Sequence, residues 1–551
     1  MTAQALSLVS PASVDNPLYY LLNFRSVLEW VRDRHGDLLL EEELAQIASF
    51  LDLSSDAQAL LTRMIMRKGD LFRLSKLEYG EVRDRAAALD ALHAAGWVET
   101  GFEIDISQLF ALCTRVELTR VFGPSRGLRK DEWLAALQAE NITGKPFESW
   151  LGEDRLLRLN CMPLCDRIRL MFFGNLRQTW SDFVLADLGI HRYEAVSLDA
   201  RSRGFSCRDD IDRYLQVQRC RERFESGEDI VTLLADLPGR SGCAWLDLRL
   251  DRLTYLMAQQ CERAGELDSA EALYRECDHV GARSRRLRVL ERLERYDDAL
   301  AEARIVSMAP RDEAEVQHLE RIIPRLQRKL GQARSNKRVP INYQRLDLSL
   351  LPCGVSVEQA VALHLTEPDA PVFYVENLLV NALFGLLCWE AIFAPVPGAF
   401  FHPFHAGPVD LYELGFRERR QAEFERCLAL LDAGTHRDAI LGCYQRKHGL
   451  MSPFVHWGGV DQALLETALD CIPPRHLREW FERLLRDVKA NRTGMPDLIQ
   501  FWPDEKRYQM IEVKGPGDRL QDNQLRWLAF CGRHEMPVTV CYVQWATEMT
   551  V

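Results

Sequence analysis

A chain of 551 residues is long enough for roughly three to four domains at about 150 residues each. Hydrophobic residues at 47% and charged residues at 27% are globular usage, which excludes a disordered chain, a collagen or a small disulfide scaffold. The 69 Lys and Arg against 81 Asp and Glu give a net charge of −12, which argues against a protein that coats nucleic acid without selectivity but leaves room for a local basic groove.

The first twenty residues lack the basic start and unbroken apolar stretch of a secretory leader. From Phe24 to Leu77, apolar residues recur at three- and four-residue spacing in FRSVLEWVRDRHGDLLLEEELAQIASFLDL and DAQALLTRMIMRKGDLFRLSKL. That period predicts amphipathic helices, and residues 1–104 read as a helical N-terminal domain in which no chemistry stands out.

Between Ile106 and Trp150 a pair of short helices is expected, ISQLFALCTRVELTRVF leading through Gly123-Pro124-Ser125 into LRKDEWLAALQAE. Arg115, Arg120, Arg126, Arg129 and Lys130 oppose one acid, Glu117. A short helix, a basic turn and a second helix resemble the SAP module, which docks helix starts and basic side chains on duplex backbone, and residues 105–160 are assigned to it. Phosphates suit the exposed amides and cations at a helix start. Arg126, Arg129 and Lys130 are therefore candidate DNA contacts. The alternative is two ordinary helices with a solvated basic face.

The fifteen cysteines are scattered, Cys161 and Cys165 being the closest pair, and no paired C-x-x-C framework for zinc appears. They read as reduced thiols in a reducing compartment. From Asp209 to about Arg338 the pattern is helical. GELDSAEALYREC (Gly265 to Cys277) and ERYDDALAEARIV (Glu294 to Val306) share Asp-x-Ala-x-Ala spacing and resemble tetratricopeptide repeats, so residues 161–345 are expected to form a TPR-like helical solenoid. Two basic concentrations lie within it. Arg283, Arg285, Arg286, Arg288, Arg292 and Arg295 meet Glu291 and Glu294 alone; Arg321, Arg325, Arg328, Lys329, Arg334, Lys337 and Arg338 meet no acid in their own stretch. On an acidic chain this clustering points to a surface facing nucleic acid.

The most apolar long segment, Leu378 to Phe401, is broken by Asn381, Glu390, Pro395 and Pro397, so it reads as a buried core helix and not a membrane span. His456 and Trp457 sit in an apolar stretch and read as core. The chemistry is concentrated in GMPDLIQFWPDEKRYQMIEVKGPGDRLQDNQLRWLAFC. Pro496 to Trp502 predicts a strand, Pro503-Asp504 a turn and RYQMIEVKG a second strand. Strand alternation puts Tyr508, Met510, Glu512 and Lys514 on one face, and a hairpin carries Asp497 toward the end of the second strand. Two carboxylates can hold a hard divalent cation, and a lysine can orient water or screen developing phosphorane charge. Pro-Asp followed fifteen residues later by Glu-x-Lys is the PD-(D/E)xK nuclease signature; an exposed hairpin with a surface Glu/Lys pair is the plain alternative.

RTGMPDL (Arg492 to Leu498), IEVKGPGDRLQDNQLRWL (Ile511 to Leu528) and VCYV (Val540 to Val543) resemble the VRR-NUC domain. FYVENLLVNALFGLLCWEAIF (Phe373 to Phe393) resembles the leading helices of that domain in Fanconi-associated nucleases, whose order of SAP module, tetratricopeptide-like region and nuclease domain is repeated here. The resemblance implies a multidomain, mainly α chain closing in an α/β nuclease domain with a mixed central sheet over residues 346–551. It also implies that Glu376, heading the leading helix, completes a metal site with Asp497 and Glu512, that the Val513 carbonyl is a further ligand, and that Gln524 supports the lysine or the scissile phosphate. Two Mg²⁺ or Mn²⁺ ions are the expected cofactors, with Lys514 positioning water. Lys489 and Arg492, just ahead of the Pro-Asp strand, are candidate phosphate contacts. Trp527 reads as packing.

The function implied is a structure-specific 5′-flap endonuclease and 5′→3′ exonuclease of interstrand cross-link repair. Such a bacterial-type member is expected to be soluble and cytoplasmic, nucleoid-associated when acting on DNA, and a monomer on branched or flapped DNA. No ubiquitin-binding zinc finger is expected, since no Cys/His spacing in this sequence fits one. A Holliday-junction resolvase and a non-catalytic helical scaffold for branched DNA are the alternatives.

Overall fold

A computed structural model describes residues 16–546 apart from 126, 141, 153, 179, 181–191, 200–201, 333–342 and 414. The chain divides into two compact units: Met1–His191 with Leu198–Ile211 and Phe401–Phe404, and Arg192–Ser197 with Asp212–Phe400 and His405–Val551.

In the first unit, helices Tyr19–His35, Glu41–Asp52, Ser55–Ile65 and Arg85–Ala94 follow the predicted apolar period. Strands Leu71–Arg73 and Val98–Thr100 flank Leu156–Leu159 in an antiparallel sheet. Among the described residues the SAP-like stretch holds four helices where two were expected, Ile106–Leu112, Arg115–Phe122, Lys130–Gln138 and the short Phe147–Leu151. The first expected helix divides because Thr114 caps a new one: its hydroxyl accepts from the Glu117 amide while the Glu117 carboxylate accepts from the Thr114 amide. Leu109, Phe110, Leu118, Trp133 and Phe147 bury the module's own small core.

In the second unit, helices Arg208–Glu225 (from Asp212 on) and Ile230–Asp236 precede the consecutive packed helices α1 (Ala244–Ala264), α2 (Leu267–Glu276), α3 (Ala282–Arg292), α4 (Tyr296–Met308) and α5 (Glu313–Lys329). Of the alanines in the two similar segments, Ala270, Ala299 and Ala303 are fully buried, small residues that let helices approach closely, whereas Ala272 is half-buried and Ala301 exposed. The first arginine cluster is not the free basic face expected. Arg285 pairs with Glu262, Arg286 with Glu271 and Glu302, Arg283 with Glu315, and Arg295 with Asp298. Glu262, Glu271 and Glu315 are buried, so these guanidiniums neutralise the array's interior acids. In the second cluster, Arg325 pairs with Glu291 and Arg321 with Asp522; Arg328 and Lys329 are exposed, and Arg334, Lys337 and Arg338 lie outside the described residues.

The unit then forms a five-stranded mixed sheet from β1 (Gln344–Leu350), β2 (Val372–Tyr374), β3 (Leu498–Trp502), β4 (Arg507–Lys514) and β5 (Val538–Trp545), in the order β1-β5-β4-β3-β2. β1, β5 and β4 run parallel; β3 is antiparallel to β4, and β2 to β3. One face packs on α6 (Val357–Leu365) through Ile511, Val513, Cys541 and Val361. α7 (Leu379–Leu387) is buried along its whole length. The apolar segment is thus core, as predicted, but its helix stops at Cys388 and a short helix, Trp389–Ile392, follows. No helix among the described residues is long and apolar enough to cross a membrane. α8 (Pro474–Arg486) and α9 (Asp522–Arg533) complete the packing. The fully buried Arg483 side chain of α8 lies 4.1 Å over Trp527 of α9 and donates to Glu313 of α5 at 2.7 Å.

Asp410 and Arg420 form a fully buried ion pair with bonds of 2.7 and 2.9 Å, and Arg419 also reaches Asp410. Asp410→Ala is expected to destabilise this unit by about 3–5 kcal/mol, because it strands a buried guanidinium. Thermal unfolding followed by circular dichroism checks it, and an unchanged midpoint would mean that Arg420 finds solvent.

Candidate active site

The predicted hairpin forms. Leu498 pairs with Ile511 and Trp502 with Arg507, and the turn Pro503–Glu505 ends on Lys506 at φ +50°. β3 begins two residues later than expected, since Pro496 has no N–H to give a ladder. Asp497 therefore sits just before the strand, where its Oδ2 accepts the Val513 N–H at 2.8 Å. Its own carbonyl accepts the Val375 N–H at 2.9 Å, and since Tyr374 pairs with Leu498 this places Glu376 beside Asp497 at the sheet's end.

Along β4 the N–H of Val513 points toward β3, whereas that of Met510 points the other way, to the Pro537 carbonyl at 3.1 Å. A strand residue's N–H and C=O project to the same edge. The Val513 carbonyl accordingly lies on the Asp497 side, past the start of β3.

Glu512 and Lys514 share a strand face, both buried, with Lys514 Nζ donating to Glu512 Oε1 at 2.6 Å. Gln524, in the first turn of α9, donates its Nε2 to the same oxygen at 2.6 Å. Its Oε1 accepts the Gln521 N–H at 2.9 Å, so the amide is held at both ends. Gln524 thus meets Glu512 and not Lys514. Burial, then the Asp497 charge, push the Glu512 carboxyl up to about 7 against the pull of Lys514. Burial above all raises Asp497 to about 6, opposed by the Val513 N–H and Lys514 and reinforced by Glu376 and Glu358.

Glu376 is not on the helix as expected but in the exposed turn ahead of α7. Tyr374 Oη donates to its Oε2 at 2.5 Å, and Asn377 Nδ2 to its Oε1 at 3.2 Å. Sequence reasoning singled out neither Tyr374 nor Asn377; the available signal was an asparagine, Asn381, inside an apolar run.

The donor set suits a hard divalent cation. A carboxylate offers about four lone-pair positions. Lys514 and Gln524 occupy one oxygen of Glu512, and the Val513 amide one oxygen of Asp497, which leaves the second oxygen of each with no hydrogen bond among the described residues. Oxygen ligands of this kind, with carboxylates that raise one another's pKa, favour a cation. Among the described residues no three His, Cys, Asp or Glu side chains close on one point, so the acids line an edge and do not form a finished cage.

Gly494, at φ +82°, lets the approach to Asp497 pass directly beneath α9. A Cβ there would fall 2.7–3.0 Å from the Asn523 side chain. Trp527 is buried, as expected, and its Nε1 donates to the Thr493 carbonyl at 3.1 Å.

The expected phosphate contacts fare differently. Arg492 is taken up by the protein, donating to the Tyr412 hydroxyl and, at 2.8 Å, to the Pro453 carbonyl. Lys489 is exposed; its charge, with that of Arg252 and above all burial, holds His279 down at about 4. In the SAP-like module the Lys130 ammonium donates to the Cys113 carbonyl at 2.9 Å, Arg129 is exposed at the helix start, and Arg126 lies outside the described residues. His456 is exposed and not core. Trp457 is half-buried, its Nε1 donating to the Leu450 carbonyl at 2.6 Å.

Residues 432–545 match the VRR-NUC domain, residues 103–150 the Fanconi anemia-associated nuclease SAP domain, and residues 18–99 the domain described as "FAN1, HTH domain". The last match falls where the sequence pattern disclosed helices but no function. The chain is 52% identical over 550 residues to the Fanconi-associated nuclease 1 homolog of Pseudomonas aeruginosa, covering 98% of both. It is 24% identical over 664 residues to human Fanconi-associated nuclease 1, covering 98% of this chain and 64% of that protein. Its structure is similar to the crystal structure of paFAN1 bound to 5′-flap DNA with a two-nucleotide flap and a gap, with a TM-score of 0.88 and 52% identity over 98% of this chain and all of that one.

Proposed function

Because the chain belongs to the Fanconi-associated nuclease 1 family, we propose that it is a metal-dependent, structure-specific DNA nuclease that cuts at 5′ flaps, trims 5′→3′, and serves interstrand cross-link repair in the bacterial cytoplasm. The observation that carries this reading is the end of the β3–β4 hairpin, where Asp497, Glu512 and Lys514 meet beside Glu376. Two crystal structures hold paFAN1 on 5′-flap DNA, one with a one-nucleotide and one with a two-nucleotide flap, which supports a flap as the substrate.

In this reading Glu376, Asp497, Glu512 and the Val513 carbonyl would hold the Mg²⁺ or Mn²⁺ ions, two being expected. When bound, such ions supply charge neutralisation at the phosphate and a more acidic water. Lys514 positions the attacking water and donates toward charge that develops on the phosphoryl oxygens. Gln524 fixes the Glu512 oxygen that Lys514 also holds, which leaves the other oxygen for the cation. No group here addresses a base, so selectivity comes from DNA shape, and bent or interrupted duplex is cheaper to deform than continuous duplex. Of the expected phosphate contacts that are described, Arg129 at its helix start and Lys489 are the exposed ones and would meet phosphates. A TPR-like array, a four-part division of the chain and a monomeric working state belong to the same reading.

The test is a set of 5′-labelled substrates, namely a 5′ flap, a 3′ flap, a four-way junction and plain duplex, each with Mn²⁺, Mg²⁺ or EDTA and with Glu512→Ala as control. Cutting near the 5′-flap junction that needs metal and disappears in Glu512→Ala is the expected result. Symmetric cuts confined to the four-way junction would replace it with a resolvase. Binding with no cutting of any substrate would leave a scaffold.

A further inference from the structure

Glu376 is the exposed member of the three acids and is positioned by hydrogen bonds more than by packing. Tyr374 and Asn377 each hold one of its oxygens, and each oxygen keeps a second lone pair. The turn itself is held too. Asn377 lies at φ +53°, a left-handed conformation that asparagine adopts more readily than most residues. Its Oδ1 accepts the Met495 N–H at 3.3 Å, and its carbonyl accepts Asn381 Nδ2 at 2.7 Å. The same Asn381 Nδ2 donates to the Arg492 carbonyl at 2.9 Å. Asn381 is 2% exposed on an otherwise apolar helix, and although its Oδ1 has no partner among the described residues, its two amide hydrogens offset part of the cost of burial. Both are used here, one on the Glu376 turn and one on Arg492, so that together they tie the turn to the segment that leads into Asp497.

We infer that Tyr374, Asn377 and Asn381 are positioning residues for the metal site: the two asparagines staple the Glu376 turn to Arg492–Met495, and the Tyr374 hydroxyl and Asn377 amide aim the remaining lone pairs of Glu376. The inference rests on the reading of Glu376 as a metal ligand. Partners of ligating carboxylates fix ligand orientation, and their loss typically weakens metal affinity or activity by about 10–100-fold.

The experiment uses the full chain with Mn²⁺ alone as probe, reading bound Mn²⁺ by electron paramagnetic resonance and 5′-flap cleavage across Mn²⁺ concentrations. Tyr374→Phe removes one hydroxyl from a ring that is 48% exposed and disturbs no core. Asn377→Gly keeps the left-handed backbone accessible while removing the side-chain bonds. Each is expected to raise both the Mn²⁺ dissociation constant and the half-saturating Mn²⁺ concentration by about tenfold, with cleavage recovering to within about threefold at saturating Mn²⁺. Glu376→Gln is expected to lose cleavage by at least about a hundredfold at every Mn²⁺ concentration. Wild-type Mn²⁺ binding and titration in both Tyr374→Phe and Asn377→Gly, with Glu376→Gln inactive, would overturn the positioning roles and leave the ligand assignment standing. A Glu376→Gln protein that binds Mn²⁺ and cuts like wild type would overturn the ligand assignment, and the inference with it.

Discussion

Asp497→Asn is expected to slow 5′-flap cleavage by about a thousandfold at saturating metal, or about 4 kcal/mol at roughly 1.36 kcal/mol per decade. The amide is the informative replacement. Asp497 has a structural duty, since its Oδ2 receives the Val513 N–H at the end of β4. An asparagine oxygen can accept that same bond, so the fold and the Val513 carbonyl stay in place while the negative charge is lost. Asp497→Ala removes both, and its loss of activity would mix a missing ligand with a displaced strand end. Flap affinity measured by fluorescence anisotropy in Ca²⁺ should remain near wild type in Asp497→Asn, because phosphate contacts elsewhere carry duplex binding. Single-turnover cleavage within tenfold of wild type would remove Asp497 from the metal site.

Lys514→Met should cost about 10²–10³ in the cleavage step, the range found when one donor aimed at developing negative charge is removed. Methionine roughly preserves the volume of a side chain that is 7% exposed, so packing is kept. The competing account is that Lys514 merely holds Glu512. Gln524 makes that account testable, because its Nε2 reaches the same Glu512 Oε1 at the same 2.6 Å. Gln524→Ala removes a holder without removing a cation and is expected to cost about tenfold. Two groups on one oxygen are coupled, so the double variant should fall short of the product of the single effects. Equal losses in Lys514→Met and Gln524→Ala would reduce the lysine to a holder and take away its role toward water and phosphate.

The hairpin and its face assignment were legible because strand alternation has period two, so fixing one residue fixes its neighbours. Glu512 and Lys514 had to share a face, and Asp497 had to come to the end of β4, as the Val513 bond shows. Helix boundaries were less legible. The expected helix from Ile106 divides at Thr114, where a local capping box outcompetes continuation. The cations were least legible. Arg286 has few acids near it in sequence, yet Glu271 and Glu302 from adjacent helices pair with it. Arg492 and Lys130 read as free phosphate contacts, and both instead donate to groups at least seventeen residues away in the chain. His456 read as core from its apolar neighbours but faces outward.

The sequence by itself determined the chemistry available to this protein: two acids and a lysine on a β-hairpin, the helical architecture before it, and the family to which both belong. The chemistry and the helical architecture follow from local period, turn residues and spacing, and the family from the resemblance of its motifs, all of which a chain carries without folding. Tertiary structure alone decided which side chains are engaged and which are exposed. It placed two donors on one oxygen of Glu512, put Glu376 in a turn held by Tyr374 and Asn377, and paired the helical array's arginines with buried acids. The reason is that hydrogen bonds and ion pairs depend on separations of a few ångströms between residues that are tens or hundreds of positions apart, and a one-dimensional pattern does not encode that distance.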